Sequence, residues 1–307
     1  MRRQLDTAIR LSLAGQVRNR FAWILLVTFV PVWYLLLGSM FGHTGAAFRL
    51  RATGTTVVVD GHNLILITAG LNSITLLTAF VVFAAVRRSR LFDRRLVLSG
   101  YRPAALIAAK TSAALVQAVA VGAYAAIVML FFWRPSGVWT VAVAFMLAAA
   151  IYAALGLLVG VLVRGDLEGF FLIIMISLLD TFLQNPVGNP LANKSILEFF
   201  PSYGPTQFAV AGGFDHRVLA SMAALSLAWT ATFALLGLVV MRLRMPRPTR
   251  MMAPAPALDR PAPSTDTHHQ TLTAAVAQAS GGPGRNPGES GLPADQRVVP
   301  PPAARAG

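Results

Sequence analysis

The sequence predicts an all-α polytopic membrane protein with six transmembrane helices, an N-terminal interfacial helix and a re-entrant segment in the outer leaflet. Three observations carry this. Charged residues make up 12% of the 307, about half the share of a soluble domain. Apolar residues come in runs long enough to cross a bilayer. Finally, the arginines gather in alternate connections between those runs.

Residues 1–20 carry Arg2, Arg3, Arg10, Arg18 and Arg20, with Leu5, Ile9, Leu13 and Val17 four apart. That spacing places the aliphatics on one helical face, as in a helix lying at a membrane surface. The following run is too long for the apolar core of a cleaved leader. Spans are read at 21–42, 63–86, 107–133, 138–163, 169–185 and 218–241. The fifth has 17 residues and reaches only about 25 Å at 1.5 Å per residue. Pro186 and Pro190 stop it, and Pro31 predicts a kink in the first span.

Charge sets the orientation. With the N-terminus inside, the inner segments hold 21 Lys and Arg and the outer ones five, the asymmetry of a cytoplasmic N-terminus. The net charge of +14 is therefore a topology signal, and a nucleic-acid partner is excluded. Residues 242–307, rich in Pro, Ala and Gly, contain 12 of the 19 prolines. They predict a disordered cytoplasmic tail, too poor in aliphatic clusters to offset its chain entropy. Its His268 and His269 lack the further ligands a metal site needs. The absence of cysteine removes disulfides, thiolate metal sites and cysteine nucleophiles.

Two spans carry polar stripes. Thr68, Asn72 and Thr75 recur on one face of the second; Ser177, Asp180 or Thr181, and Gln184 do so on the fifth. Such faces are costly against lipid, so they either line a translocation path or bond helix to helix. Asp180 is the single acid within these spans and must face protein or water. Gly38–Gly42 and Gly156–Gly160 are small-xxx-small pairs suited to close helix approach.

The inner loop 87–110 sets Leu91, Phe92, Leu96 and Leu98 among six arginines, with a break at Gly100–Pro103. It reads as a short amphipathic helix and turn that docks a cytoplasmic partner or anchors at headgroups. The outer segment 186–217 places Phe199, Phe200, Tyr203, Phe208 and Phe214 between prolines and glycines. It is too apolar for a free loop and predicts short helices dipping into the outer leaflet. Gly188–Ser195 imitates a phosphate-binding loop, but Asn193 replaces its second glycine, Pro190 removes an N–H and no strand precedes it.

The order of these pieces, together with RRLVLSGYRPAALIAAK (Leu96, Leu98, Gly100, Pro103, Lys110) and FFPSYGPTQFAVAGGF, resembles the type-2 permease subunits of ABC exporters. The resemblance covers roughly residues 1–241. It implies an ATPase-coupling element at Leu91, Phe92, Asp93, Arg94, Arg95, Leu96 and Leu98, with Asp93 alone standing where the family carries its acid. It implies a substrate path at Thr68, Asn72, Thr75, Ser177, Asp180, Thr181 and Gln184, and an outer gate at Phe199, Phe200, Tyr203 and Phe208. The implied partners are a cytoplasmic ABC ATPase, a second permease subunit and membrane lipid. No cofactor is bound directly; ATP acts through the partner. The implied activity is export of a drug-, antibiotic- or lipid-like amphiphile across the plasma membrane. Two other readings stand beside it: a proton-coupled secondary transporter using Asp180, and a membrane enzyme or scaffold. The enzyme lacks a convergent acid, base and nucleophile set.

Overall fold

The computed structural model describes residues 20–98 and 103–244. The expected interfacial helix up to residue 19, the expected turn at 99–102 and the expected tail from 245 onward lie outside them. In chain order the elements are α1 (Arg20–Met40), the strands β1 (Gly45–Leu50) and β2 (Thr55–Asp60), α2 (Gly61–Leu98), α3 (Pro103–Met129), α4 (Val138–Leu162) and α5 (Asp166–Leu183). A 3₁₀ turn (Ser195–Phe199), α6 (Tyr203–Asp215) and α7 (Ala220–Arg244) complete them.

Among the described residues, four helices are long and apolar enough to cross a membrane: Gly61–Arg90, Ala108–Met129, Val138–Leu162 and Ala220–Leu243. The first expected span corresponds to α1, whose apolar stretch Ile24–Met40 is shorter. The fifth corresponds to α5, whose 18 residues include Asp166, Glu168 and Asp180.

Helix α4 is the centre of the bundle, packing against α2, α3, α6 and α7. Its alanines and glycines let neighbours approach closely. A Cβ at Gly156 would press on the backbone of Ala79 in α2, and one at Gly160 would lie 3.0 Å from Val86. The expected packing pair Gly156–Gly160 is therefore seated on α2. Gly38 and Gly42 differ: nothing lies within 4 Å of a Cβ at Gly42, because the chain leaves α1 there. On the other side of α4, a Cβ at Gly122 of α3 would come within 2.7 Å of the Met146 backbone.

Pro31 stays inside α1. Having no N–H, it leaves the carbonyl of Val27 without its helical donor. The hydroxyl of Tyr124 on α3 donates to that carbonyl at 3.1 Å. Tyr34, fully buried, donates to Ala125 O at 3.2 Å. The proline thus becomes a stitch between α1 and α3.

Three expectations change. An all-α chain is expected, yet β1 and β2 form an antiparallel hairpin in the register Gly45↔Asp60 to Leu50↔Thr55. Alternating burial along β1 and the β-branched run of β2 support it, and Gly54 takes the turn at φ 68°. Second, the coupling segment is not a separate short helix: α2 continues unbroken for 38 residues to Leu98. Third, α3 begins at Pro103, where a missing N–H costs nothing, ahead of the apolar span from Ala108, and it ends at Met129, short of the expected 133. Bonds of the i→i+3 kind tighten residues 130–132 ahead of Pro135.

The arginine-bearing end is tied into the bundle. Arg87 bonds Asp166 at 2.5 Å and Val163 O at 3.0 Å. Arg90 reaches the carbonyls of Gly160, Val161 and Val163. These cations cover the carbonyl end of α4, where helix geometry leaves acceptors free.

Replacing Gly156 by Leu forces α2 and α4 apart, at a cost of about 1–3 kcal/mol, and should lower the melting temperature of the detergent-purified protein. Gly42→Ala, in open space, should leave it unchanged.

Candidate functional site

The two polar stripes face each other. Asn72 Nδ2 donates to Thr181 Oγ1 at 2.6 Å, Thr75 Oγ1 and Ser177 Oγ share a hydrogen at 2.6 Å, and Asn185 Nδ2 donates to Thr68 Oγ1 at 2.6 Å. All seven stripe residues are buried, none more than 4% exposed. Helices α2 and α5 are therefore joined by a closed polar seam over one part of their contact, with Phe80 and Phe83 packing on Phe170 in the other. Among the described residues, Asn72 Oδ1 and Gln184 Oε1 in this seam have no donor.

Asp180 closes the seam near the hairpin end of the bundle. Its Oδ2 accepts from Tyr152 Oη at 2.5 Å and from the Ser202 backbone N–H at 2.9 Å. Its Oδ1 accepts from Gln184 Nε2 at 2.9 Å and Ser202 Oγ at 2.8 Å. A carboxylate 1% exposed is tolerated in an apolar bundle only when its lone pairs are filled in this way. The donors come from α4, α5 and the residue before α6, so one side chain fixes three elements.

Tyr152 and Ser202 were not singled out by the sequence pattern. Tyr152 is the lone phenol in an Ala/Leu-rich span, which is a usable signal, since a buried tyrosine hydroxyl generally finds a partner. Ser202, beside Pro201, carries no periodicity that would mark it.

At the hairpin end, α6 is buried from Tyr203 to Gly213. Its 13 residues span about 20 Å. The expected gate aromatics are split: Phe199 is 79% exposed, whereas Phe208 is 4% exposed and belongs to the core. Tyr203 is buried at the start of α6, and Phe200 is half-buried.

The imitation phosphate loop has a different use. Asn193 Oδ1 accepts from Arg49 N at 3.1 Å, and its Nδ2 donates to Ala47 O at 3.2 Å. Gln207 bonds Arg49 O and Arg51 N at 3.0 and 3.3 Å. Two carboxamides thus act as a mock strand along the free edge of β1. At the hairpin base, Asp60 accepts from His62 N at 2.9 Å, capping α2, and pairs with His43 Nδ1 at 2.6 Å. The His43 hydrogen bond, helped by the backbone N–H groups of His62 and Asn63, holds the Asp60 carboxyl below its ordinary value.

At the opposite end, the expected coupling residues lie on the last turns of α2. Phe92 is 58% exposed and Arg95 is exposed, with Leu96 half-buried. The side chains of Leu91, Asp93, Arg94 and Leu98 lie outside what the structure describes. Lys110 of α3 bonds Ser89 Oγ at 2.6 Å, joining α3 to this part of α2.

Membrane-crossing helices around a buried polar seam, with one helix extended well beyond its apolar span, define a multi-pass membrane protein of transporter type. The family model for the ABC-2 type transporter matches residues 3–193. The chain belongs to that family: it is the transmembrane permease component of an ABC transporter, distinct from a nucleotide-binding domain. The family generally works with an ATPase subunit. No match is found among curated proteins.

Tyr152→Phe removes one hydrogen bond to Asp180 and should cost about 1–3 kcal/mol. Asp180→Leu strands three donor side chains and a backbone N–H and should cost about 3–5 kcal/mol, both read by thermal unfolding in detergent. Asp60 has a lowered folded value, so its contribution is present at neutral pH and is lost as pH falls below the ordinary 3.8. Exchange protection of the His62 N–H should drop through that acid window, and Asp60→Asn should abolish the step.

Proposed function

We propose that this permease exports a drug-, antibiotic- or lipid-like amphiphile, paired with a second permease subunit and driven by a separate cytoplasmic ATPase. The arginine-rich end, with residues 87–110, faces the cytoplasm, and the hairpin and α6 face outward. In this reading α1 and α5 complete a set of six crossings, and the segment carrying α6 dips back into the outer leaflet.

The single observation that supports it best is the continuity of α2. One unbroken helix carries Thr68, Asn72 and Thr75 at the seam and Leu91–Leu98 at its far end. A displacement of the far end by an ATPase has to move the seam, since a helix is stiff along its axis. Arg87 and Arg90 carry the same displacement into the α4–α5 connection.

The substrate path follows from the same seam. Cargo passes where α2 and α5 separate, exchanging the bonds of Asn72, Thr75, Ser177 and Thr181 for bonds to the substrate. The free acceptors of Asn72 and Gln184 fit that exchange, because they are groups that the closed seam leaves unsatisfied. Phe199, Phe200, Tyr203 and Phe208 form the outer gate through which cargo leaves. ATP binding by the partner biases the closed and open arrangements by differential affinity.

The test is replacement of residues 91–98 by a Gly/Ser sequence of equal length. Membrane insertion should persist while capture of the partner ATPase is lost. Retained capture would remove the coupling assignment, and a reporter at residue 95 read on the external face would reverse the orientation.

A further inference from the structure

A groove of about 570 Å³ opens on the side of the bundle at the hairpin end, between the hairpin turn, the 3₁₀ turn, the start of α6 and the first turns of α7. It has a charged end and an apolar end. Arg51 and Glu198 form the charged end, paired at 2.7 Å; Met222, Leu225 and Trp229 form the apolar wall. Tyr203 lines it between the two.

Three polar groups here have capacity left. Arg51 spends Nη1 on Glu198 Oε1 and Ser195 Oγ, and Nη2 on Asn193 O. Among the described residues its Nε–H and one Nη2–H have no acceptor. Among the described residues Glu198 uses Oε1 alone, which leaves Oε2 without a partner there. The Tyr203 hydroxyl is buried without a partner among the described residues, in a residue only 6% exposed. A buried hydroxyl left bare costs free energy, so such a group marks a place where something supplies its acceptor.

We propose that this groove binds the headgroup and upper chain of a membrane phospholipid that carries a primary ammonium, of the phosphatidylethanolamine class. The lining charges favour it: Arg51 and Glu198, the charged residues that line the groove, sum to zero, which matches a zwitterion. The phosphate accepts from the free N–H groups of Arg51 and from Tyr203 Oη; the ammonium donates to Glu198 Oε2. A quaternary choline has no N–H to give to Glu198, and glycerol carries no cation. The acyl chains then run along Met222, Leu225 and Trp229, on the helix whose outer face is apolar and exposed at Leu227, Leu235 and Leu236. The site depends on the chain residing in a bilayer and shares Phe199 and Tyr203 with the proposed outer gate.

The experiment is native mass spectrometry of the full chain, purified in mild detergent and offered equal amounts of ethanolamine, choline and glycerol phospholipids with identical chains. The ethanolamine lipid should be retained roughly tenfold over the other two, the weight of one charge-assisted hydrogen bond. Tyr203→Phe should weaken that retention roughly fivefold while leaving the melting temperature of delipidated protein equal or higher, since it deletes an unbonded hydroxyl. Glu198→Gln should erase the preference for ethanolamine over glycerol lipid. Equal retention of all three lipids, or retention unmoved by Tyr203→Phe, overturns the proposal. So does a cysteine at Ala228 that cross-links copy to copy in membranes, which would put a second chain in the groove. Lipid retention is read without ATPase, so its failure leaves the coupling assignment standing and the reverse also holds.

Discussion

A carboxylate in the middle of an apolar bundle constrains everything around it. Removing its solvent costs far more than a folded protein can lose, and only a full set of donors restores the balance. At Asp180 that set comes from Tyr152 on α4, Gln184 at the end of α5, and Ser202 ahead of α6. Those donors must converge, so the end of α5 is locked to the central helix and the entry of α6 is fixed in direction. The short buried helix α6, with eleven consecutive buried residues, can then pack between α4 and α7 without leaving its first turn to chance.

The seam between α2 and α5 extends the same logic along the bundle. In a lipid-like surrounding, apolar contact gives little preference for one neighbour over another. Hydrogen bonds and close backbone approach supply the preference instead. The Asn72–Thr181, Thr75–Ser177 and Asn185–Thr68 bonds set the register of α5 on α2. Gly156 sets the distance of α4 from α2. Each such bond is individually modest.

The two ends of the molecule are built differently. One end is closed by a hairpin held through side-chain amides: Asn193 and Gln207 complete the edge of β1, and Arg51 links the hairpin to Ser195 and Glu198 of the 3₁₀ turn. The other end is closed by arginines of α2 that reach the carbonyls finishing α4. Both use polar groups to satisfy backbone that the apolar interior could not satisfy. They differ in that the arginine end lies on the same rigid helix that projects beyond the bundle.

The sequence alone determined the membrane class, the places of the helices and which residues are polar where lipid would forbid it, because length, hydropathy and periodicity are local properties. It placed Thr68, Asn72, Thr75, Ser177 and Asp180 on two faces and left open whether those faces lined a path or bonded to each other. It missed the hairpin at 45–60, whose support is long-range: Asn193 and Gln207 lie about 150 positions downstream of β1. Reading a stop at the first arginine also ended α2 too early. A helix leaves a bilayer without ending when its next residues, here Arg87 and Arg90, find carbonyls and Asp166 to bond. Tertiary structure decided the partners: that the stripes close on one another, that Tyr152 and Ser202 complete Asp180, and that Asn193 holds a strand edge and not a phosphate. Those outcomes depend on which helices are neighbours, and hydrogen bonds between neighbours leave no period in the chain.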